Sequence, residues 1–410
     1  MAAINKYIPF AFIYFFVNAV ALPFGLTYTT LLAPLFYVWI LLVRKKEVLL
    51  PFLIILLPFF IMHYTTGVDL QSYGISLLNM TGVYIFCQAF YTFLKTCSDV
   101  EKILHYVLVV NFIFCLVAIP FYFSPYHHWF WMEQNISSGL ADTRRLRLLT
   151  YEPSYYALLF TPVFLFFLLQ YLFRQNRLPG GVLLVMLFLP FVLSFSTGVI
   201  GCLLLSGLLT WVIYFNRLTR LRRVLNGLII TGFSMLTAGI MLFFFFRDNP
   251  LFLRLSNVFL GRDTSARGRT DEAFLLAHKI LQTGNEYWGI GWGQLKWVGE
   301  DLIRSFYLYY ENTPVAIPNA AAETLVILGW TGFITRIGLE IILFFLTRVW
   351  TSYFRLLLFF FMFFYQFAGS FITNGAEYVI WILAFTNVFP QFGVKQGSRP
   401  ATPLWPPREG

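Results

Sequence analysis

The sequence predicts an all-α fold: a polytopic membrane helix bundle of about twelve spans with one large helical loop on the outer side. Three observations predict it. Hydrophobic residues make up 59% of the 410 and charged residues 12%, where soluble domains carry about 25% charged residues. Apolar runs close to the ~20 residues that a span needs recur along the chain. The Lys and Arg residues sit in short groups between those runs, so the net charge of +10 reads as a topology signal and not as a nucleic-acid footprint. The 49 Phe and 23 Tyr suit lipid contact and an interfacial belt. The lipid bilayer is thus an expected partner and nucleic acid is not.

The expected spans are 7–23, 28–43, 48–64, 74–94, 103–123, 154–173, 180–196, 197–215, 225–246, 322–346, 353–372 and 375–390. The first lacks a convincing small-residue cleavage site and reads as a span, not a signal peptide. Pro58 and Pro190 interrupt their runs, which neighbouring helices can accommodate. The predicted organisation is N-terminal spans over 1–123, a first outer loop over 124–153, central spans over 154–246, a large outer loop over 247–321, C-terminal spans over 322–390 and a disordered tail over 391–410. With the N-terminus cytoplasmic, every inner turn is short and basic, as at Arg44-Lys45-Lys46 and Arg220, Arg222 and Arg223. The outer basic residues fall mainly in the two long loops, where the rule has little force. Both termini are therefore expected in the cytoplasm. The four cysteines, Cys87, Cys97, Cys115 and Cys202, show no metal spacing, and neither a disulfide nor a metal site is expected.

The two outer loops hold most of the chemistry. Arg144, Arg145 and Arg147 precede Glu152-Pro153-Ser154 at the mouth of the sixth span. They read either as a headgroup-binding loop or as an anion site, since guanidinium groups take phosphate oxygens in a bidentate fork. Glu152 is a carboxylate at a membrane entry, costly unless paired or used; Arg144 or Arg147 is a possible partner. In the large loop, 270–283 reads as an amphipathic helix capped by Thr270 and ended by Gly284, with an apolar side of Phe274, Leu275, Ala277, His278 and Leu281. Arg267 and Arg269 precede it, where free N–H groups favour anions; ordinary surface arginines are the plain alternative. The Gly289-Ile290-Gly291-Trp292-Gly293 run follows no strand and opens no helix, so a dinucleotide site is rejected in favour of a tight turn. Asn319 is placed to cap the tenth-span helix and Glu323 to lie in its first turn. Arg336 is expected to pair with Glu340 at i+4. His127 and His128, beside Trp129 and Trp131, read as interfacial.

The order of these motifs resembles the O-antigen ligase/polymerase superfamily of bacterial membrane glycosyltransferases. An Arg precedes Glu152-Pro153-Ser154, and Ser194-Phe195-Ser196-Thr197-Gly198 joins two spans. Arg267-Gly268-Arg269-Thr270-Asp271-Glu272, Gly289-Ile290-Gly291, Asn319, Glu323, Leu325 and Gly329-Trp330-Thr331-Gly332 follow. The resemblance covers residues 144–332. It implies undecaprenyl-diphosphate-linked glycans as donor and acceptor at the outer face of the bacterial inner membrane, a periplasmic large loop, and a flippase and a chain-length regulator as accessory partners. It implies inverting transfer to an acceptor hydroxyl, with Arg147, Glu152 and Arg269 catalytic and Arg144, Arg145, Arg267, Asn319, Glu323 and Arg336 binding substrate. No cofactor or metal is implied, because arginines can carry the positive charge. Two departures matter. The family's His before the tenth-span Asn is Pro318 here, which favours a polymerase over a ligase. The family's Ser-Arg-Gly is Ser196-Thr197-Gly198. An O-antigen ligase and a lipid-glycan flippase remain the alternatives. A flippase would place its charges inside the bundle, whereas these gather in the loops apart from Arg336 and Glu340.

Overall fold

The polar N–H and C=O groups of the backbone find no partner in lipid but one another, so helix is the expected answer along most of this chain. A computed structural model describes residues 7–17, 27–134, 143–176, 178–218, 253, 256–257, 260, 263–306 and 315–394. The fold is mostly helical. Four helices are long and apolar enough to cross a membrane: α5 (Leu70–Thr96), α6 (Val100–Tyr122), α7 (Pro153–Leu172) and α15 (Ala320–Leu346). Shorter apolar helices include α3 (Ala33–Arg44), α4 (Leu49–Thr65), α8 (Gly180–Ser194), α9 (Thr197–Ile213), α16 (Tyr353–Tyr365) and α17 (Gly375–Phe385). The expected span 225–246 and the disordered tail beyond Val394 lie outside the described residues.

The all-α expectation needs one correction. The loop between α6 and α7, expected on the outer side, contains a two-stranded antiparallel sheet, β1 (Trp131–Gln134) and β2 (Thr143–Leu146), with Trp131 opposite Leu146 and Glu133 opposite Arg144. Trp131 and Leu146 bury their side chains, and the Trp131 indole N–H donates to the Ala118 carbonyl at 2.7 Å.

α7 is buried on nearly every side and forms the axis of the main core with α8, α9, α16 and α17. By contrast α4 turns Leu53, Ile54, Ile55 and Leu57 outward. A helix apolar all round belongs at the centre; a helix with an exposed apolar face suits a lipid boundary. Arg355 is buried at the start of α16. It donates to the Ala384 and Phe385 carbonyls at 2.8 and 3.3 Å and to the Thr347 carbonyl at 2.7 Å, satisfying the ends of two other helices.

Polar contacts sort the turns into two groups. Asp69 exchanges hydrogen bonds with Gln294, Arg145 reaches Ser194, Arg269 reaches Glu152, Asn319 reaches Phe367 and Glu323 reaches Ile372. All of these segments are predicted to be on one side. Gln170 contacts Glu101, Tyr214 contacts Trp350 and Arg217 contacts Val394, all at ends predicted to be on the other.

α15 is broken at Gly329, whose φ of 65° and ψ of −169° are not helical. In an unbroken helix Trp330 N–H would donate to Val326 and Thr331 N–H to Ile327. Instead Ile290 and Gly291 donate to the Val326 and Ile327 carbonyls at 2.9 and 3.0 Å, and Trp330 and Thr331 donate to the Glu286 and Tyr287 carbonyls, both at 3.0 Å. The segment 286–291 thus replaces, bond for bond, the helical turn that the break removes. Gly289 has φ +83°, and a Cβ there would lie 2.4 Å from the Ile327 oxygen. This is the tight turn with close backbone approach that the glycine run predicts.

Candidate functional site

The two loops meet where α7 begins. Pro153 at N1 suits a helix start, having no N–H to leave unpaired, and fixes Glu152 at the N-cap. Arg269 closes the short helix α11 (Thr264–Arg269), which Asp263 caps. Its Nη2 donates to Glu152 Oε1 at 2.8 Å. Asn319 accepts from Ala322 N–H at 2.8 Å as the cap of α15, while its Nδ2 donates to the carbonyls of Arg269 at 2.7 Å and Phe367 at 2.8 Å. One buried Asn therefore locks α11, α15 and the end of α16 together. The partner of Glu152 is Arg269, not Arg144 or Arg147.

Burial by itself would raise the Glu152 carboxyl. The Arg269 charge, hydrogen bonds from Ser154 and Arg269, and the Arg145 charge outweigh burial and hold it below the usual carboxylate range. Glu152 is therefore ionised at neutral pH. The starts of α7, α15 and α17 all border the same cleft, through Glu152, Pro318 and Asn374. Three helix N-termini facing one place favour negative charge there, which the ionised Glu152 carboxylate supplies.

The remaining arginines separate. Arg144 pairs with Glu133 across the sheet and lies over the Tyr122 ring. Arg145 is buried and donates to the Ser194 carbonyl at 3.1 Å, which ties the sheet to the elbow between α8 and α9. Arg267 is half exposed and pairs with Glu272 at 2.8 Å. Arg147 donates through Nη2 to the His128 carbonyl at 2.8 Å, and its buried Nε finds no partner among the described residues. Burial pulls its guanidinium below the ordinary value, yet arginine stays charged.

The helix expected over 270–283 is α12, Asp271–Leu281. Thr270 donates to the Ala266 carbonyl at 3.0 Å and does not cap α12 through its side chain. The buried face is Ala273, Leu276, Ala277, Ile280 and Leu281, packed on α15, while Leu275 and His278 are exposed. The predicted apolar side is therefore rotated. Phe274, only partly buried, meets Phe333 and Phe367 edge-on and stacked.

Glu323 and Arg336 lie deeper. Glu323 accepts from Ile372 N–H at 2.7 Å. Arg336 pairs with Glu340 at 3.3 Å, as expected, but also with Glu377, and it donates to Gln366 and Thr324 at 2.9 and 2.8 Å. Its contact to Thr324 spans the break at Gly329. Glu377 Oε2 is buried without a partner among the described residues. Both residues stand beneath the cleft and not in its lining.

The enclosed part of the cleft is small, about 20 Å³, and the rest opens to solvent. Tyr151, Tyr155, Tyr365, Phe371, Ser370 and Asn374 line it with Glu152 and Arg269, and the sequence reading missed these six. For Asn374 a signal existed: with Glu377 three residues on, it spells a helix start. Tyr365 and Phe371 had none, being aromatic residues within an aromatic run. Burial, then Tyr155 and Glu152, push the Tyr151 phenol well above its ordinary value, so it remains a neutral donor. No protein-family model matches this chain, and no curated protein matches it.

Proposed function

We propose that this protein is a bacterial polysaccharide polymerase of the O-antigen type. It transfers a glycan from undecaprenyl diphosphate to an acceptor sugar hydroxyl at the outer face of the inner membrane. The reading places about twelve spans in the bilayer, both termini in the cytoplasm and the large loop in the periplasm. The observation that carries it is the Glu152–Arg269 contact, which joins the two loops richest in arginine at a membrane mouth. In the reaction the acceptor oxygen attacks the anomeric carbon. The bond from that carbon to the diphosphate oxygen breaks, its electron pair leaves with undecaprenyl diphosphate, and the configuration inverts. The acceptor proton passes to the Glu152 carboxylate. Diphosphate is a good leaving group, so no protonating acid is required. The Arg147 guanidinium offers stabilisation to the charge that develops on it. Arg269 acts as a positioning residue that keeps Glu152 ionised and oriented. Pro318, where the family's ligases carry His, favours polymerase over ligase.

One observation favours a second reading, a lipid-glycan flippase. Arg336, Glu340, Glu377 and Glu323 form a larger buried charge cluster than the Arg336 and Glu340 expected inside the bundle, and such residues often mark transport paths. Glycan analysis of a deletion strain separates these. A single repeat on the lipid core marks a polymerase and a naked core a ligase. Lipid-linked repeats retained on the inner leaflet mark a flippase and would refute glycosyl transfer.

A further inference from the structure

We infer that the cleft beside Glu152 is the acceptor-sugar subsite, and that the Tyr365 hydroxyl binds the incoming sugar and sets which acceptor is extended. The inference rests on the glycosyl-transfer reading and goes beyond it by naming the occupant and the residue that selects it.

The lining matches a sugar better than a lipid chain or a diphosphate. A pyranose presents apolar C–H faces and hydroxyl edges, so it needs aromatic surface with a few placed polar groups. Tyr151 and Tyr155 stand with ring centroids 4.8 Å apart and planes 38° to each other, and Phe371 adds a third ring to the lining. The hydroxyls of Tyr151 and Tyr365 make no hydrogen bond among the described residues, and neither is a sealed, buried oxygen. A lipid tail would leave both unsatisfied. A diphosphate would need a cation, but the only one among the described lining residues, Arg269, is engaged by Glu152. Arg147, with its free Nε, is not in the lining. The neutral end of the reaction is therefore placed here, and the anionic end outside it. The base is also on this side: an acceptor hydroxyl must reach Glu152, and Glu152 borders the cleft.

Tyr365 is held for this purpose. Its residue is 3% exposed, and its ring stacks on Phe361 with centroids 5.6 Å apart. A Cβ at Gly369 would lie 3.0 Å from Tyr365 Cζ and 3.1 Å from its hydroxyl. A side chain at position 369 would crowd the phenol where its oxygen enters the cleft. The next residue, Ser370, holds a φ of 68°, costly for a residue other than glycine and tolerated where surrounding structure enforces it. Asn374 Nδ2 donates to the Ser370 hydroxyl at 3.0 Å, so the wall opposite the tyrosines is fixed as well.

The test uses Tyr365→Phe, which keeps the ring and removes only the oxygen. Full-length protein in native membrane vesicles is given lipid-linked single repeats purified from the host, titrated against preformed lipid-linked polymer. Polymer formation by the parent protein is scored first, and its absence would sink the glycosyl-transfer reading itself. With the parent active, the variant should raise the KM for the single repeat roughly three- to tenfold, the range one lost neutral hydrogen bond gives. The KM for the polymer donor should be unchanged. Both KM values unchanged, or a rise in the donor KM alone, would overturn the subsite. An equal fall in turnover with both substrates would mark Tyr365 as structural and overturn it too. Tyr151→Phe, at a half-buried position, carries the same expectation if Tyr365→Phe fails to accumulate.

Discussion

Replacing Arg269 by Gln tests whether this guanidinium governs the charge of Glu152. The substitution removes the 2.8 Å contact between Nη2 and Oε1 but leaves the Arg269 carbonyl on Asn319. A charge-assisted hydrogen bond contributes roughly 1.5–3 kcal/mol. The two side chains are 29% and 17% exposed, so solvent takes part of that and the loss of stability should fall near the lower end. The larger effect is on protonation. In the parent the Glu152 carboxyl is depressed, so the pair's stabilisation is present above the ordinary carboxylate value of about 4.3 and is lost only as pH falls through the still lower folded value. Polymerisation should therefore be flat from about pH 8 to pH 5 so far as Glu152 is concerned. Without Arg269, burial faces only Ser154 and Arg145, and the carboxyl moves upward. Its protonation then enters the measurable range, and the variant should lose progressively more activity as pH falls. Initial rates of polymerisation in vesicles across that range, normalised to protein level, supply the measurement. The contact is made through one nitrogen, so Arg269→Lys should be intermediate, whereas a diphosphate fork would make Lys as poor as Gln. A flat profile in a normally expressed Gln variant would show that Arg269 does not set the state of Glu152.

Glu152→Gln, close in size to the parent, should keep normal protein levels and lose most polymerisation; activity within a few-fold of the parent would leave positioning and Arg147 as the catalytic means. Gly289→Ala should destabilise the protein by more than about 2 kcal/mol, because strain and broken backbone pairs add, and a thermal-stability assay in detergent would register it; an unshifted midpoint would mean that the clasp on α15 is dispensable. In a cysteine-free background, Tyr287→Cys, at a 70% exposed position, should react with an impermeant maleimide from the outer side, and Ser98→Cys only after permeabilisation; the reverse pattern would overturn the topology.

Most of the described helices fall on the apolar runs that predicted them, because a polar backbone among apolar side chains pairs best with itself. What composition concealed was everything set by contacts between distant segments. The sheet of Trp131–Gln134 and Thr143–Leu146 is four residues a side, too short to show against an aromatic background. Asn319 could be assigned as a cap from local rules, but not as the residue that also holds Arg269 and Phe367, which lie 50 and 48 residues away. The partner of Glu152 is 117 residues distant, so local spacing pointed to Arg144 and Arg147 instead. The side chains of α12 were misassigned because the period alone does not say which face meets α15; the packing of Ala273 and Leu276 decides it.

The break at Gly329 connects these parts. The half of α15 before it carries Asn319 and Glu323 toward the cleft, and two sets of contacts hold that half in place. On one face the 286–291 segment supplies four backbone hydrogen bonds in place of the missing turn. On another, Arg336, from the half after the break, reaches Thr324 before it, and also Gln366 and Glu377. Gln366 in turn donates to Glu340 at 2.7 Å, and its carbonyl accepts from Ala321 N–H at 3.1 Å. Truncating Arg336 would leave Glu377 and Glu340 buried without their cation, a far larger penalty than the pair's net stabilisation. The charge inside the bundle is thereby accounted for as a tie across a deliberately interrupted helix, with a path from Arg336 through Gln366 and Ala321 to the wall of the cleft. On the proposed glycosyl-transfer reading this network positions the site, and its buried charges are held by the pairs they make with one another.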